Sequence, residues 1–311
     1  MSLPKLYKYT SYENGLRSIQ NQKFKWSSIL QFNDPFESRF HVEQDIGTKV
    51  RLAALTASIK EGFFLPPETK QLFVEAETKS KQEFTKIIKL SDDIDRTIKR
   101  HKTFTQELYF DIERTIWNAT KSSGLLKALY DDALDFRGMA HKMVANEYGI
   151  LCLSESCNNP LMWGHYANDH KGIMFEFDFE KIPRDSKLYE SIRKVHYQEE
   201  YPEMGYETLL GLNNSIFPEL SPTFMKTLAF TKQKAWEYEM EYRSFASNSA
   251  LDENKLSTIP KICFTSITLG CSMKAENINQ ALELTKTHLP SCDIYLNQLS
   301  SKSYSLNRVL A

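Results

Sequence analysis

The sequence predicts an α+β protein: a mixed, largely antiparallel sheet built from both ends of the chain, with a helical bundle inserted between them. Three observations carry that expectation. Short alternating or continuously apolar segments, bounded by turn residues, occur near the start and again after residue 148. Between residues 48 and 147 Gly and Pro are scarce, charges are dense, and apolar residues recur at helical spacing, as in Leu52, Leu55 and Ile59 and later Leu125, Leu129 and Ala133. A chain of 311 residues, 41% of them hydrophobic, can bury a sizeable core. The expected organisation is one mixed α/β core domain from 1–47 and 148–311, with 48–147 as the helical insertion.

The elements follow in order. Leu6-Tyr-Lys-Tyr-Thr10 alternates as a strand, with Leu6 and Lys8 on one face and Tyr7 and Tyr9 on the other. A helix at 12–20 and a strand at 24–28 come next. In Phe32-Asn-Asp-Pro-Phe-Glu37, Asp34 is suited to cap a helix, Pro35 to open it and Glu37 to close a capping box. Residues 149–156 form an apolar run expected as a central strand buried on both faces. Asn159 then caps a helix that starts with Pro160 and stops before Gly172. Gly164 weakens that helix, and the usual reason is close approach of another backbone or of a ligand. Strict alternation marks 173–179 as a strand with one core face and one partly polar face. A short strand is expected at 194–198, a helix at 224–235 carrying Lys226, Lys232 and Lys234, a strand at 262–269 and a helix at 275–288. A hairpin of 293–299 and 304–309 closes the chain.

Charge narrows the function. With 39 basic and 40 acidic residues the formal net charge is -1, which gives no reason to coat nucleic acid or an anionic membrane. Five cysteines at 152, 157, 263, 271 and 292 have no metal-ligand spacing and read as reduced, mostly buried thiols. No signal segment and no uncharged apolar run of about eighteen residues occurs, so a cytoplasmic protein without a membrane partner is expected. Dinucleotide-fold and P-loop glycine motifs, His-Glu-x-x-His and the Gly-x-Ser-x-Gly elbow are all missing.

The richest stretch runs from Phe230 to Phe245 and holds Trp236, Glu239, Glu241 and Arg243. If a strand starts at Tyr238, Glu239, Glu241 and Arg243 share one face, and two carboxylates so close repel unless a cation lies between them or one is protonated. The bland alternative is a solvated edge strand on which Arg243 pairs with Glu241. On the helix after Asn159, His165 and Tyr166 emerge side by side.

Four blocks carry a resemblance: Leu6-Tyr-Lys-Tyr9, Phe32-Asn-Asp-Pro-Phe-Glu37, Leu151-Cys-Leu-Ser154 with Pro160-Leu-Met-Trp-Gly-His-Tyr166, and Trp236-x-x-Glu-x-Glu-Tyr-Arg243. In this order they resemble domain-of-unknown-function family 2971, an uncharacterised bacterial family, over nearly the whole chain. The resemblance implies that Lys8, Asn33, Asp34, His165, Tyr166, Glu239, Glu241 and Arg243 gather in one place. A second resemblance is to ADP-ribosyltransferases with an Arg, a Ser-x-Ser and a Glu-x-Glu, matched here by Lys8, Ser154-Glu-Ser156 and Glu239-Met-Glu241. It implies that a cation holds the pyrophosphate of NAD, that aromatics flank the nicotinamide, and that a late carboxylate stabilises the oxocarbenium-like centre as the N-glycosidic bond breaks. The chain departs from that pattern by carrying Lys8 where those enzymes have Arg or His, so the bidentate fork is missing.

The function expected is therefore nucleotide handling by an ADP-ribosyltransferase-like enzyme or NAD glycohydrolase. Glu241, Glu239 and His165 are the catalytic candidates; Lys8, Tyr9, Asn33, Asp34, Ser154, Trp163, Tyr166, Trp236 and Arg243 are the ligand-binding ones. NAD is the candidate substrate, and the cofactor is otherwise unassigned. The competing reading is a non-catalytic sensing module for a nucleotide or other small anionic ligand, acting through a protein partner. A metal-dependent nuclease using Asp34, Glu239 and Glu241 is the least favoured, and no metal is assigned. One pocket walled by Lys8, Tyr166 and Glu241 is expected.

Overall fold

The computed structural model describes residues 2–41, 148–203 and 227–311, with scattered helical positions between 89 and 145. Most of the expected helical insertion, and most of the turn-rich stretch at 199–222, lie outside the described residues. The chain divides into two compact units: Met1–Glu37, Val144–Glu199 and Lys232–Ala311 form the first, and Ser38–Met143 with Glu200–Thr231 the second. In the second unit His41 and Glu203 join through one parallel bridge.

The first unit opens with strand β1 (Leu6–Thr10) and helix α1 (Tyr12–Asn21), whose cap Ser11 accepts from the Asn14 amide. Strand β2 (Lys23–Lys25) ends three residues before the expected limit at 28, and Ser27 beyond it meets Ile150 in an isolated bridge. Then come β3 (Tyr148–Ser154), helix α2 (Pro160–Tyr166), β4 (Ile173–Phe177), helix α3 (Lys187–Ser191), β5 (Arg193–Lys194), β6 (His196–Gln198) and β7 (Thr231–Gln233). Strands β8 (Glu241–Ser247), β9 (Leu256–Thr258) and β10 (Phe264–Leu269), helix α4 (Ala275–His288), β11 (Asp293–Leu299) and β12 (Leu306–Leu310) complete it.

Eight strands form one sheet in the order β12-β11-β10-β4-β1-β3-β8-β5. Every neighbouring pair is antiparallel except β10 with β11, so the sheet is mixed and largely antiparallel. The two ends of the unit meet at its centre: β1 pairs along its length with β4 but touches β3 through one pair, Tyr7↔Ser154. Strand alternation assigns the cores. Leu6, Leu151, Leu153, Phe175 and Phe177 point to one face, which Ile19 of α1 and Ala281 of α4 cover. Tyr7, Tyr9 and Met174 point to the other, where Met162 and Trp163 of α2 and Leu306 cover them. The face of 173–179 expected to be partly polar is thus buried too, and Glu176 is kept there by Lys5, Thr265, Ser266 and Arg308.

Several local expectations are corrected. No strand starts at Tyr238: Lys234–Glu239 is a 3-10 helix, Met240 takes a left-handed φ of 46°, and β8 begins at Glu241. The helix expected at 224–235 survives only at 227–229 among the described residues, and Lys232 sits on β7. Helix α2 stops at Tyr166, because Asn168, Asp169 and His170 all have positive φ. Asp169 and His170 therefore leave the helix. Gly172 is small for another reason than ending it: a Cβ there would lie 2.1 Å from the Thr10 carbonyl oxygen. The close approach expected at Gly164 is not present, since a Cβ there would meet nothing within 4 Å. Residues 35–38 form a turn instead of a capped helix.

Candidate functional site

Strands β1, β3 and β8 bring their polar residues to one cavity of about 330 Å³, at the small end of the range for ligand sites. Register explains the convergence. Tyr7 faces Ser154, and Ser154 faces Glu241 on the next strand, so three side chains on neighbouring strands share one face. Cys152 and Arg243 follow as the next pair toward the wall.

The charged centre is a buried network. Arg243, 0% exposed, donates through Nε to Glu241 Oε1 at 2.8 Å and through Nη2 to Oε2 at 3.0 Å, while Nη1 lies 2.9 Å from Glu37 Oε1. Lys232, 7% exposed, donates to Glu239 at 2.5 Å and Glu241 at 3.0 Å, and lies 3.9 Å from Glu37. Its ammonium also stands 5.0 Å above the Trp236 ring. Glu239 receives a second hydrogen bond, from the Tyr166 hydroxyl at 2.6 Å, and Asn33 reaches that hydroxyl at 3.4 Å. Three carboxylates therefore meet two cations among buried side chains, where each unpaired charge is costly.

The two neighbouring glutamates differ in their proton affinity. Burial pushes the Glu241 carboxyl upward, but Arg243 and Lys232 outweigh it and hold the pKa at about 2. Burial also pushes Glu239 upward; Lys232 opposes it, the Glu241 charge reinforces it, and the net shift is upward. Burial raises the Tyr166 hydroxyl, and the Glu239 charge raises it further. Burial would lower Lys232, yet Glu241 and Glu239 raise it, so it remains charged.

Most residues singled out in the sequence line this cavity. Lys8 is there, its ammonium donating to the Cys152 carbonyl at 2.9 Å, and no carboxylate pairs with it among the described residues. Tyr9 lines it and donates to the Ser156 carbonyl at 2.7 Å. Ser154 donates to the Glu239 carbonyl at 2.6 Å and accepts from the Ser156 amide. Asn33, Tyr166, Glu239, Glu241 and Arg243 also line it, as does the exposed His165, whose ring lies 6.3 Å from Trp236 and 6.4 Å from Tyr238.

Three residues stand apart from the lining. Trp163 is wholly buried in the second core against Tyr9, at 5.3 Å, and its indole N–H finds no hydrogen-bond partner among the described residues. Asp34 caps the amide of Phe36 at 2.9 Å, and its other oxygen has no hydrogen-bond partner among the described residues. Trp236 backs Lys232 from outside the wall.

Two charged lining residues are not among the candidates from sequence: Glu37 fits a helix cap there and Lys232 a helix face, and both instead enter the network. The signal was present in part: two carboxylates two residues apart require a cation between them, and Lys232 is that cation. Among the described residues no group of three or more His, Cys, Asp or Glu is arranged to hold a metal ion.

Residues 162–244 match the model of a family described as Protein of unknown function (DUF2971). The match runs from Met162 in α2 to Ser244 in β8; the earlier sequence blocks precede it. No curated protein and no solved structure matches.

Proposed function

In a chain that carries this domain of unknown function, we propose that the cavity handles a nucleotide and cleaves the N-glycosidic bond of NAD. The observation that carries the reading is the convergence of Lys8 on β1, Ser154 on β3 and Glu241 at the head of β8 on one cavity. These are the three positions on which the resemblance to ADP-ribosyltransferases rests. In this reading the Lys8 ammonium, which pairs with no carboxylate among the described residues, takes a phosphate oxygen. Glu241 stays ionised across the physiological range, as a group that stabilises a developing positive centre on ribose must. Glu239, with its raised pKa, accepts a proton from the attacking water or acceptor hydroxyl. Tyr7, Tyr9 and Tyr166 supply aromatic surface for a planar ring.

The test is nicotinamide release from NAD, run beside thermal unfolding with and without NAD. The wild type is expected to be stabilised and to release nicotinamide; Glu241→Gln is expected to be stabilised by NAD and to release none. Absence of both stabilisation and release in the wild type would sink the nucleotide reading.

One observation favours a second reading, a non-catalytic sensing module. Both Glu241 oxygens are already engaged by Arg243 and Lys232, which balances the charge that catalysis would use. Stabilisation of the wild type by NAD without any nicotinamide release would select that reading.

A further inference from the structure

Lys232 has no role in the reading above, yet it touches every carboxylate of the network. The cavity wall carries three cations, Lys8, Lys232 and Arg243, against Glu37, Glu239 and Glu241. Arg243 is stretched between Glu37 and Glu241, and Glu239 accepts from the Lys232 ammonium and the Tyr166 hydroxyl. Trp236 closes over the ammonium at 5.0 Å and limits where it can turn. Lys232 is therefore the one cation among the described residues that balances Glu239 while also fixing its distance from Glu241.

We propose that Lys232 is a positioning residue that makes the cavity acceptable to an anion: it clamps Glu239 and Glu241 on a single ammonium and cancels the charge that would otherwise repel a phosphate. The proposal rests on the reading that the site takes a phosphate-bearing nucleotide. The physical reason is that a charge in a cavity walled by protein is weakly screened, so one uncompensated carboxylate acts on an entering phosphate over the whole width of the site. Removing the ammonium leaves three carboxylates facing Lys8 and Arg243. Removing Glu239 as well restores an even count.

The full-length protein, Lys232→Met and the double variant Lys232→Met/Glu239→Gln are titrated calorimetrically with AMP and with adenosine, which differ by the phosphate. Lys232→Met is expected to weaken AMP roughly tenfold to hundredfold while leaving adenosine nearly unchanged. The double variant is expected to recover most of the AMP affinity, which a role in packing alone would not give. Equal losses for AMP and adenosine overturn the proposal, and so does a double variant that fails to fold or to bind AMP. If the wild type binds neither compound, the nucleotide reading falls and takes this one with it; if the wild type binds and the double variant is not rescued, only the role of Lys232 falls.

Discussion

Glu239 and Glu241 are two residues apart and share one lysine, yet their surroundings give them opposite proton affinities. Glu241 is gripped by a guanidinium on one side and an ammonium on the other, while Glu239 has the ammonium and a phenol. The difference predicts unequal costs. Glu241→Gln leaves the buried Arg243 and Lys232 under-compensated and should cost about 3–5 kcal/mol. Glu239→Gln removes a charge that the fold already disfavours and should cost about 1 kcal/mol or less. Urea unfolding at pH 7 measures both, and the reverse order would refute this account of the network. Glu239 and Glu241 could be picked out from sequence because they lie in one short stretch with Trp236 and Arg243. Glu37 could not, because Asp34, Pro35 and Glu37 satisfy a helix-capping pattern equally well.

At the scale of the element, α2 shows how local signals set a start better than a stop. Asn159 accepts from the Leu161 amide and Pro160 opens the helix, both as local chemistry requires. Its end is decided by the chain's turn back to the sheet, through three left-handed residues and a glycine pressed on β1. Two glycines should then respond with opposite signs. Gly164→Ala meets open space and should stabilise by up to about 1 kcal/mol. Gly172→Ala drives a methyl against the Thr10 and Ala167 carbonyl oxygens and should cost about 1–3 kcal/mol or more. Thermal unfolding of the two variants checks the pair, and equal shifts would contradict the assigned contacts. Where several contacts combine, as in 234–239, alternation misleads: a 3-10 turn still delivers Glu239 beside Glu241, by way of Met240 in the left-handed region.

Across the whole first unit, two buried acid networks hang from the sheet, Glu241 on β8 and Glu176 on β4. Burial opposes ionisation of both. The cations at Glu241, and the Lys5, Thr265 and Ser266 hydrogen bonds at Glu176, bring each carboxyl down from 4.5 to about 2. A depressed pKa in the fold means stability that is complete above about pH 4.5 and is lost as pH falls toward about 2. Glu239 runs the other way, since its raised pKa lets protonation favour the fold. Thermal midpoints should therefore fall through that acid window, and Glu176→Gln should flatten the fall; an unchanged slope would remove Glu176 from the balance. The sequence by itself determined the α+β class, the order of most strands, helix α4 and the closing hairpin, because periodicity and capping act over a few residues. It also singled out half of the residues that line the cavity. Only the tertiary structure decided that Trp163 belongs to the core, that Lys232 and Glu37 complete the network, and which glutamate holds its charge. Those outcomes depend on strand register and on burial, and both arise from contacts between residues far apart in the chain.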